Sequence, residues 1–289
     1  AEVLKIERPD VGDYTRLASN QRHGFSASYL NNNRNKRSVA LNLKEKAGRD
    51  ALLRLCADAD VFVQNFRHGV AERLGMGYES LKEINPLLIY GSGTGYGPYG
   101  AESARPSFDG IGQARSGLMM SATPEGGEPI RVSGGISDQV GAVMLCMGVI
   151  AALVARDRQG VGQKIDASHL SANMWIQGQS LTMSLLSGTA PAPYDRKVPV
   201  NPLTNSYQCQ DGVWIQLMHM QPDRYWNPFA AVLGIEELVE DLRFDSINSR
   251  QENTAELTKI LEQRFATRTY DQWHQAFKAG GDFIYDKIQ

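Results

Sequence analysis

The chain has 289 residues, 42% of them hydrophobic and 21% charged, which excludes a disordered segment or a miniature scaffold and allows one large domain or two modest ones. Thirty basic side chains against 32 acidic ones give a formal charge of −2, so no positive field gathers a nucleic acid. Cys56, Cys146 and Cys209 are odd in number, far apart and without a CxxC pair; they suggest neither a disulfide framework nor a zinc cluster and fit a reducing cytoplasm.

Residues 3–6 read as a strand and not as a secretory leader. Apolar runs at 39–43, 61–64 and 87–90 read as further strands. The stretch 44–57 reads as a helix with Ala47, Ala51, Leu52 and Leu55 on one face. Strands alternating with helices imply a parallel α/β sheet, whose ligands gather where strands end and helices begin. The block 110–187 is mainly helical, with a short strand at 163–167. Inside it the uncharged run 139–155, containing Gly141 and Gly148, falls just short of a membrane span and reads as a buried core helix. Pro191, Pro193, Pro199 and Pro202 make 188–203 an extended connector. Beyond it, 206–210 and 213–217 flank Asp211-Gly212 as a hairpin, and helices follow around 224–233, 254–266 and 270–279. The expected organisation is a large α/β domain over 1–188, a linker over 189–203 and a smaller α+β domain over 204–289, without internal repeats. An opening strand with no preceding crossover, and a tail at 283–289 that stops in what reads as another strand, imply part of a longer protein.

Arg8 follows the first strand, and Asn65-Phe66-Arg67-His68-Gly69 the third, with Arg73 further on. Guanidinium groups and backbone amides at strand-to-helix junctions suit a phosphate-bearing ligand; solvated surface arginines would give the same pattern. Arg34, Lys36 and Arg37, within 31–38, either add to such a site or form a polar loop. The glycine-rich run 91–100 spells GxGxxG from Gly95 to Gly100, but Pro98 sits inside it, no helix opens there and no acidic residue lies about 20 positions on. A loop closing over a ligand and a plain irregular loop are both open readings. Asp138, in Ser133-Gly134-Gly135-Ile136-Ser137-Asp138, precedes the apolar helix. It is placed either to cap that helix or, as an open carboxylate near its positive end, to attack an acyl group. His23, His68, His169, His219 and His274 show no metal-ligand spacing, and neither a GxSxG elbow nor an activated cysteine is visible.

Several of these segments, in this order, resemble a known family. They are Val3-Leu4-Lys5-Ile6-Glu7-Arg8-Pro9 with Gly12, Asp13 and Arg16, then Asn33-Arg34-Asn35-Lys36-Arg37-Ser38, then Asn65-Phe66-Arg67, then Leu74-Gly75-Met76-Gly77-Tyr78, and finally Ala151-Ala152-Leu153 with Arg156, Gly160 and Gly162-Gln163. The chain is similar to the family III CoA-transferases of the CaiB/BaiF type, which include formyl-CoA:oxalate and carnitine CoA-transferases and the related α-methylacyl-CoA racemases. The resemblance runs to about residue 185 and is looser beyond. It implies a Rossmann-like parallel-sheet large domain with a smaller α+β domain, here without the family's N-terminal strand-helix unit and C-terminal return segment.

The resemblance also implies an enzyme that moves coenzyme A between carboxylic acids. An aspartate attacks the donor thioester to give a mixed anhydride, the CoA thiolate converts this to an aspartyl-CoA thioester, and the acceptor enters by a second anhydride. The matching aspartate is Asp138. Arg8, Leu41, Asn65, Phe66, Arg73 and Leu74 fall where the family holds CoA, and Arg67 where a racemase relative contacts its phosphates. Acyl-CoA and an acceptor acid are the implied partners and an interlinked homodimer the implied assembly; the charge, histidine spacing and run lengths above lead to no expectation of nucleic acid, metal or membrane. Racemases carry a His-Asp pair in the segment matching Pro106-Ser107-Phe108-Asp109. Phe108 cannot move a proton, which favours the transferase over a racemase or isomerase using Asp138 as base. A non-catalytic CoA-binding protein is the other alternative. The glycine-rich loop that some transferases place over the aspartate is absent, and residues 201–207 stand in its region.

Overall fold

The computed structural model describes residues 1–18, 21–124, 126–190 and 193–288. It divides into two compact units, Ala1–Met120 with Ile130–Pro191 and Ser121–Pro129 with Ala192–Gln289. Ser121–Pro129, expected within the helical block, therefore belongs with the second unit. Pro191 of the expected connector and Gln289 of the expected last strand lie outside the described residues.

In the first unit, β1 (Val3–Glu7) is followed by two two-residue strands, β2 (Gln21–Arg22) and β3 (Phe25–Ser26), and by α1 (Ala27–Asn32). Next comes β4 (Lys36–Ala40), parallel to β1 from Val3↔Lys36 to Glu7↔Ala40. The strand expected at 39–43 thus starts earlier, and Lys36, Arg37 and Ser38 belong to a ladder and not to a polar loop. Backbone pairing with β1 sets its limits, and its largely exposed side chains carry no apolar signal. In α2 (Lys46–Ala57) the buried residues are Leu52 and Cys56, while Leu55 is exposed. Gly48, one turn before Leu52, lies so close to the Asn42 backbone that a side chain there would overlap it. The inward face is therefore 48, 52 and 56, not 47, 51 and 55.

The chain continues through β5 (Val61–Gln64), α3 (Val70–Arg73), α4 (Tyr78–Ile84) and β6 (Ile89–Thr94). Helices α5 (Asp109–Arg115), α6 (Leu118–Ser121) and α7 (Ile136–Gln159) precede β7 (Lys164–Ser168), α8 (His169–Ile176) and α9 (Gly178–Ser187). β5, β6 and β7 form a parallel sheet in that order, with β6 in the middle. β6 runs through Gly91 and Gly93, which were expected beyond the strand. A side chain at Gly91 would crowd Val63 on β5 and meet Leu145 and Val149 on α7 at ordinary contact distance, so α7 packs on a strand that offers little side-chain bulk there. A core of Leu52, Cys56, Met76, Leu81, Leu88 and Tyr90 joins α2 and α4 to the sheet, with Leu41 and Leu74 partly buried against it.

The expectation of a buried core helix for 139–155 fails. α7 is long and apolar enough to cross a membrane by length and composition, yet only 11% of that apolar window is buried. One side, with Leu145 and Ala152 buried, packs on β6, β7 and α8, and the other leaves Val143, Met147, Ile150 and Val154 exposed. Apolar composition without a charged face hid this one-sidedness.

The second unit carries the antiparallel sheet β8 (Ser206–Gln208), β9 (Trp214–Leu217) and β10 (Tyr285–Ile288). Helices α10 (Pro222–Leu233), α11 (Ile247–Glu252), α12 (Thr254–Phe265) and α13 (Tyr270–Gly280) complete it. Its core is aromatic, with Trp226, Phe229, Phe265, Trp273 and Phe277 all buried. His219 stacks on Tyr225 in this core, and burial pushes it down to about 4.

Glu7, at the end of β1, gathers the N-terminal segment. Its buried carboxylate accepts from Arg16 Nε and Nη2 (both 2.9 Å), Ser38 Oγ (2.7 Å) and the Asp13 amide (2.8 Å). These partners, Arg16 foremost, lower its pKa from 4.5 to about 2. The stabilisation is complete above the unfolded value and is lost as pH falls from 4.5 through 2. Glu7→Gln is expected to cost about 2–3 kcal/mol at neutral pH, allowing for the partly exposed Arg16. It should also flatten the fall of the thermal midpoint across that acid window, measured by calorimetry.

Candidate active site

β7 closes at Ser168, whose hydroxyl accepts the Ser171 amide while Ser171 Oγ accepts the Ser168 amide. This reciprocal cap makes His169 the first residue of α8. The Leu170 amide donates to the Gly95 carbonyl at 3.1 Å, tying the start of α8 to the end of β6. Gly95 is also where Ser107 approaches, so closely that a Cβ at 95 would overlap the Ser107 Cβ. The glycine run thus serves here as space for packing, at the point where two strand ends and Ser107 meet.

Asp138 is the third residue of α7 and does not cap it. The N-cap is Gly135, in the left-handed region at φ +69° and without a side chain to accept the first amides. Asp109 on α5 does that work from outside the helix. Its Oδ1 accepts the Ser137 amide at 2.8 Å, and its Oδ2 accepts Gln113 Nε2 at 2.8 Å and Arg131 at 3.3 Å. Ser137 Oγ donates to the Asp109 carbonyl (3.0 Å) and accepts from Asn173 Nδ2 (2.8 Å). The network is buried, as Asp109, Gln113, Ser137 and Asn173 all are.

Relieved of capping, the Asp138 side chain is 58% exposed, and its Oδ1 lies 3.0 Å from His169 Nε2. His169 Nδ1 lies 3.2 Å from Ser107 Oγ. With the Nε2 proton donated to the carboxylate, Nδ1 accepts from the Ser107 hydroxyl, and the three groups form one chain. α5 approaches His169 closely at Gly112, where a Cβ would come within 2.7 Å of the His169 Cβ.

The other residues expected to bind CoA lie at strand ends or shortly after. Arg8 follows β1, is exposed and pairs with Asp10 at 2.7 Å. Leu41 follows β4, its amide bonded to the Glu7 carbonyl at 3.0 Å. Asn65, Phe66 and Arg67 follow β5 on an exposed loop, which Gln64 braces by accepting the Phe66 amide at 2.7 Å. Arg73 ends α3 and Leu74 follows it. Among the described residues neither Arg67 nor Arg73 has a carboxylate partner. Phe108, where a racemase has histidine, is 76% exposed at the start of α5.

The profile of CoA-transferase family III matches residues 1–287. The chain belongs to that family. A family III relative, an acyl-CoA transferase of Fusarium pseudograminearum, is 33% identical over 97% of this chain and 63% of its own length. Another, the acetyl-CoA:oxalate CoA-transferase of Acetobacter aceti, is 34% identical over 97% of this chain and 72% of its own. The crystal structure of a CaiB/BaiF family protein from Brucella suis superposes with a TM-score of 0.87 at 30% identity, covering all of this chain and 77% of that one. The family III chain described here thus spans about two thirds of the length of the curated relatives it matches.

His169, Ser107 and Asp109 are the site residues that sequence reasoning passed over. His169, the first residue after β7, carries the same local signal as Arg8 and Asn65, a polar side chain where a strand ends, while its spacing to other histidines carries none. Asp109→Ala leaves the Ser137 amide and Gln113 without their buried acceptor and is expected to cost about 2–3 kcal/mol, read by urea denaturation, with a larger effect than Asp138→Ala.

Proposed function

We propose that this chain moves coenzyme A between carboxylic acids, with Asp138 as the covalent nucleophile. The observation that carries the reading is an exposed carboxylate at the start of α7 that spends none of its acceptor capacity on capping, in a chain of CoA-transferase family III. Asp138 adds to the donor thioester carbon; the C–S bond breaks, and a mixed anhydride and CoA thiolate result. The thiolate adds to Cγ of Asp138 and expels the donor acid as its carboxylate, leaving an aspartyl-CoA thioester. The acceptor carboxylate attacks the same carbon and releases the thiolate, which then takes the acceptor acyl group and restores Asp138. Every nucleophile is already an anion, so the cycle needs no proton transfer.

The CoA phosphates would be held by Arg67 and Arg73, with Arg8 available if it leaves Asp10, beside Asn65. Phe66, Leu41 and Leu74 offer the apolar contacts. A racemase reading needs a second base across the substrate from Asp138. Phe108 cannot supply one, and His169 is bonded to Asp138 itself. Pairing of two copies is proposed as well, supported by the exposed apolar side chains of α7, α8 and α9, among them Met147, Trp175, Leu185 and Leu186.

Intact-mass analysis of the full-length protein with a panel of acyl-CoAs, trapped with hydroxylamine, is expected to place a modification on Asp138. Asp138→Asn should show none and lose at least about a thousandfold in transfer rate; full transfer by this variant would refute the reading. Arg67→Ala and Arg73→Ala should each raise KM for acyl-CoA by about tenfold with kcat little changed, measured by steady-state kinetics.

A further inference from the structure

A transferase cycle through Asp138 creates negative charge in two kinds of place. When Asp138 attacks an acyl-CoA, the charge gathers on the substrate's carbonyl oxygen. When the thiolate or the acceptor attacks Cγ, it gathers on Asp138's own oxygen, and that second kind needs a donor aimed at the aspartate. We infer that His169 is that donor: its Nε2 proton rests on Oδ1, leaves Oδ2 to attack, and stabilises the oxyanion on Oδ1 whenever Cγ becomes tetrahedral. This inference rests on the nucleophilic role proposed for Asp138.

The geometry fits the task. The 3.0 Å between Nε2 and Oδ1 lies within the range of about 2.7–3.1 Å in which an oxyanion donor acts. Once Oδ2 is acylated, Oδ1 is the carbonyl oxygen that receives the electron pair as the new bond to Cγ forms and returns it as the old one breaks. No proton changes hands, so the same N–H serves every such step. The Asp138 carboxylate can only accept, so the proton facing it sits on Nε2, and Ser107 Oγ, 3.2 Å from Nδ1, holds the other side of the ring. Contacts at both ring nitrogens and the close approach of Gly112 to the His169 Cβ position the donor before charge develops. The His169 side chain is 19% exposed against 58% for Asp138, so water competes weakly for its N–H. The amino-terminal end of α7 favours negative charge at the same spot. A base role has no substrate here, because the thiolate and both acids enter as anions.

The test compares His169→Phe, which fills the same space without a donor, with His169→Gln, whose amide can reach the same oxygen, and with Ser107→Ala. Each is made in the full-length protein, with thermal midpoints measured alongside. The readouts are kcat, KM for acyl-CoA and the rate at which the aspartyl-CoA thioester appears in acid-quenched samples by mass spectrometry. His169→Phe should lose about 10²–10³ in kcat and in thioester formation, with KM within about twofold. His169→Gln should recover at least tenfold of the about 10²–10³ lost, and Ser107→Ala should fall between wild type and His169→Phe. Thioester formation at the wild-type rate in His169→Phe overturns the inference, as does a failure of Gln to recover any rate at an unchanged midpoint. Should His169→Phe fail to fold, a wild-type rate in Ser107→Ala overturns it instead. Transfer by Asp138→Asn would overturn the reading of Asp138 itself and this inference with it, a result separate from any of the His169 and Ser107 outcomes.

Discussion

The Ser137 amide at the start of α7 has no partner inside its own helix, and the rest of the site depends on where that partner comes from. Had the nearest carboxylate in sequence, Asp138, folded back to accept it, the chain would hold a well-capped helix and no exposed nucleophile. Asp109 accepts it instead, from α5, with Gln113, Arg131 and the Ser137–Asn173 pair completing its bonds. A buried carboxylate with this many partners is costly to disturb, and Asp138 is left free one residue further on. The division of labour between two aspartates, one structural and one open, is a consequence of helix-end chemistry.

Parallel pairing supplies the second constraint. β5, β6 and β7 run the same way, so the loops after Gln64 and Thr94 and the start of α8 after Ser168 emerge at one edge. α7 connects back to β7 through its carboxyl end, which brings its amino end, with Asp138, to that edge beside His169. Glycine supplies the clearance. Gly95 admits Ser107, and Gly112 admits the His169 side chain. Both are close approaches between elements, and filling either would shift a side chain of the site.

Much of the scaffold was legible. β5 was expected at its observed limits, β1 and β7 within a residue or so, and α12 and α13 nearly to their ends, because short apolar runs mark the strands and one-sided apolar periodicity marks the two helices. Where periodicity misled, the cause was specific. β4 is held by backbone pairing with β1 beneath exposed side chains, α2 uses a glycine as part of its inward face, and β6 continues through Gly91 and Gly93, which carry no strand signal. α7 is apolar on all sides, so its pattern could not say that only one side meets the sheet. In the site, Asp138 and the arginines were visible because a carboxylate before an apolar helix and cations after strands are local signals. His169 was judged by its spacing to other histidines, whereas its partners Asp138 and Ser107 are 31 and 62 positions away.

The sequence alone determined the class of fold, the order of its main strands and helices, the family and Asp138 as the candidate carboxylate, since these depend on local composition, on periodicity and on short motifs in a fixed order. Only the tertiary structure decided which carboxylate caps α7, which histidine meets Asp138 and which glycines are spacers. Those outcomes depend on distances between residues far apart in the chain, set by strand pairing and helix packing, and no local pattern encodes a distance of that kind.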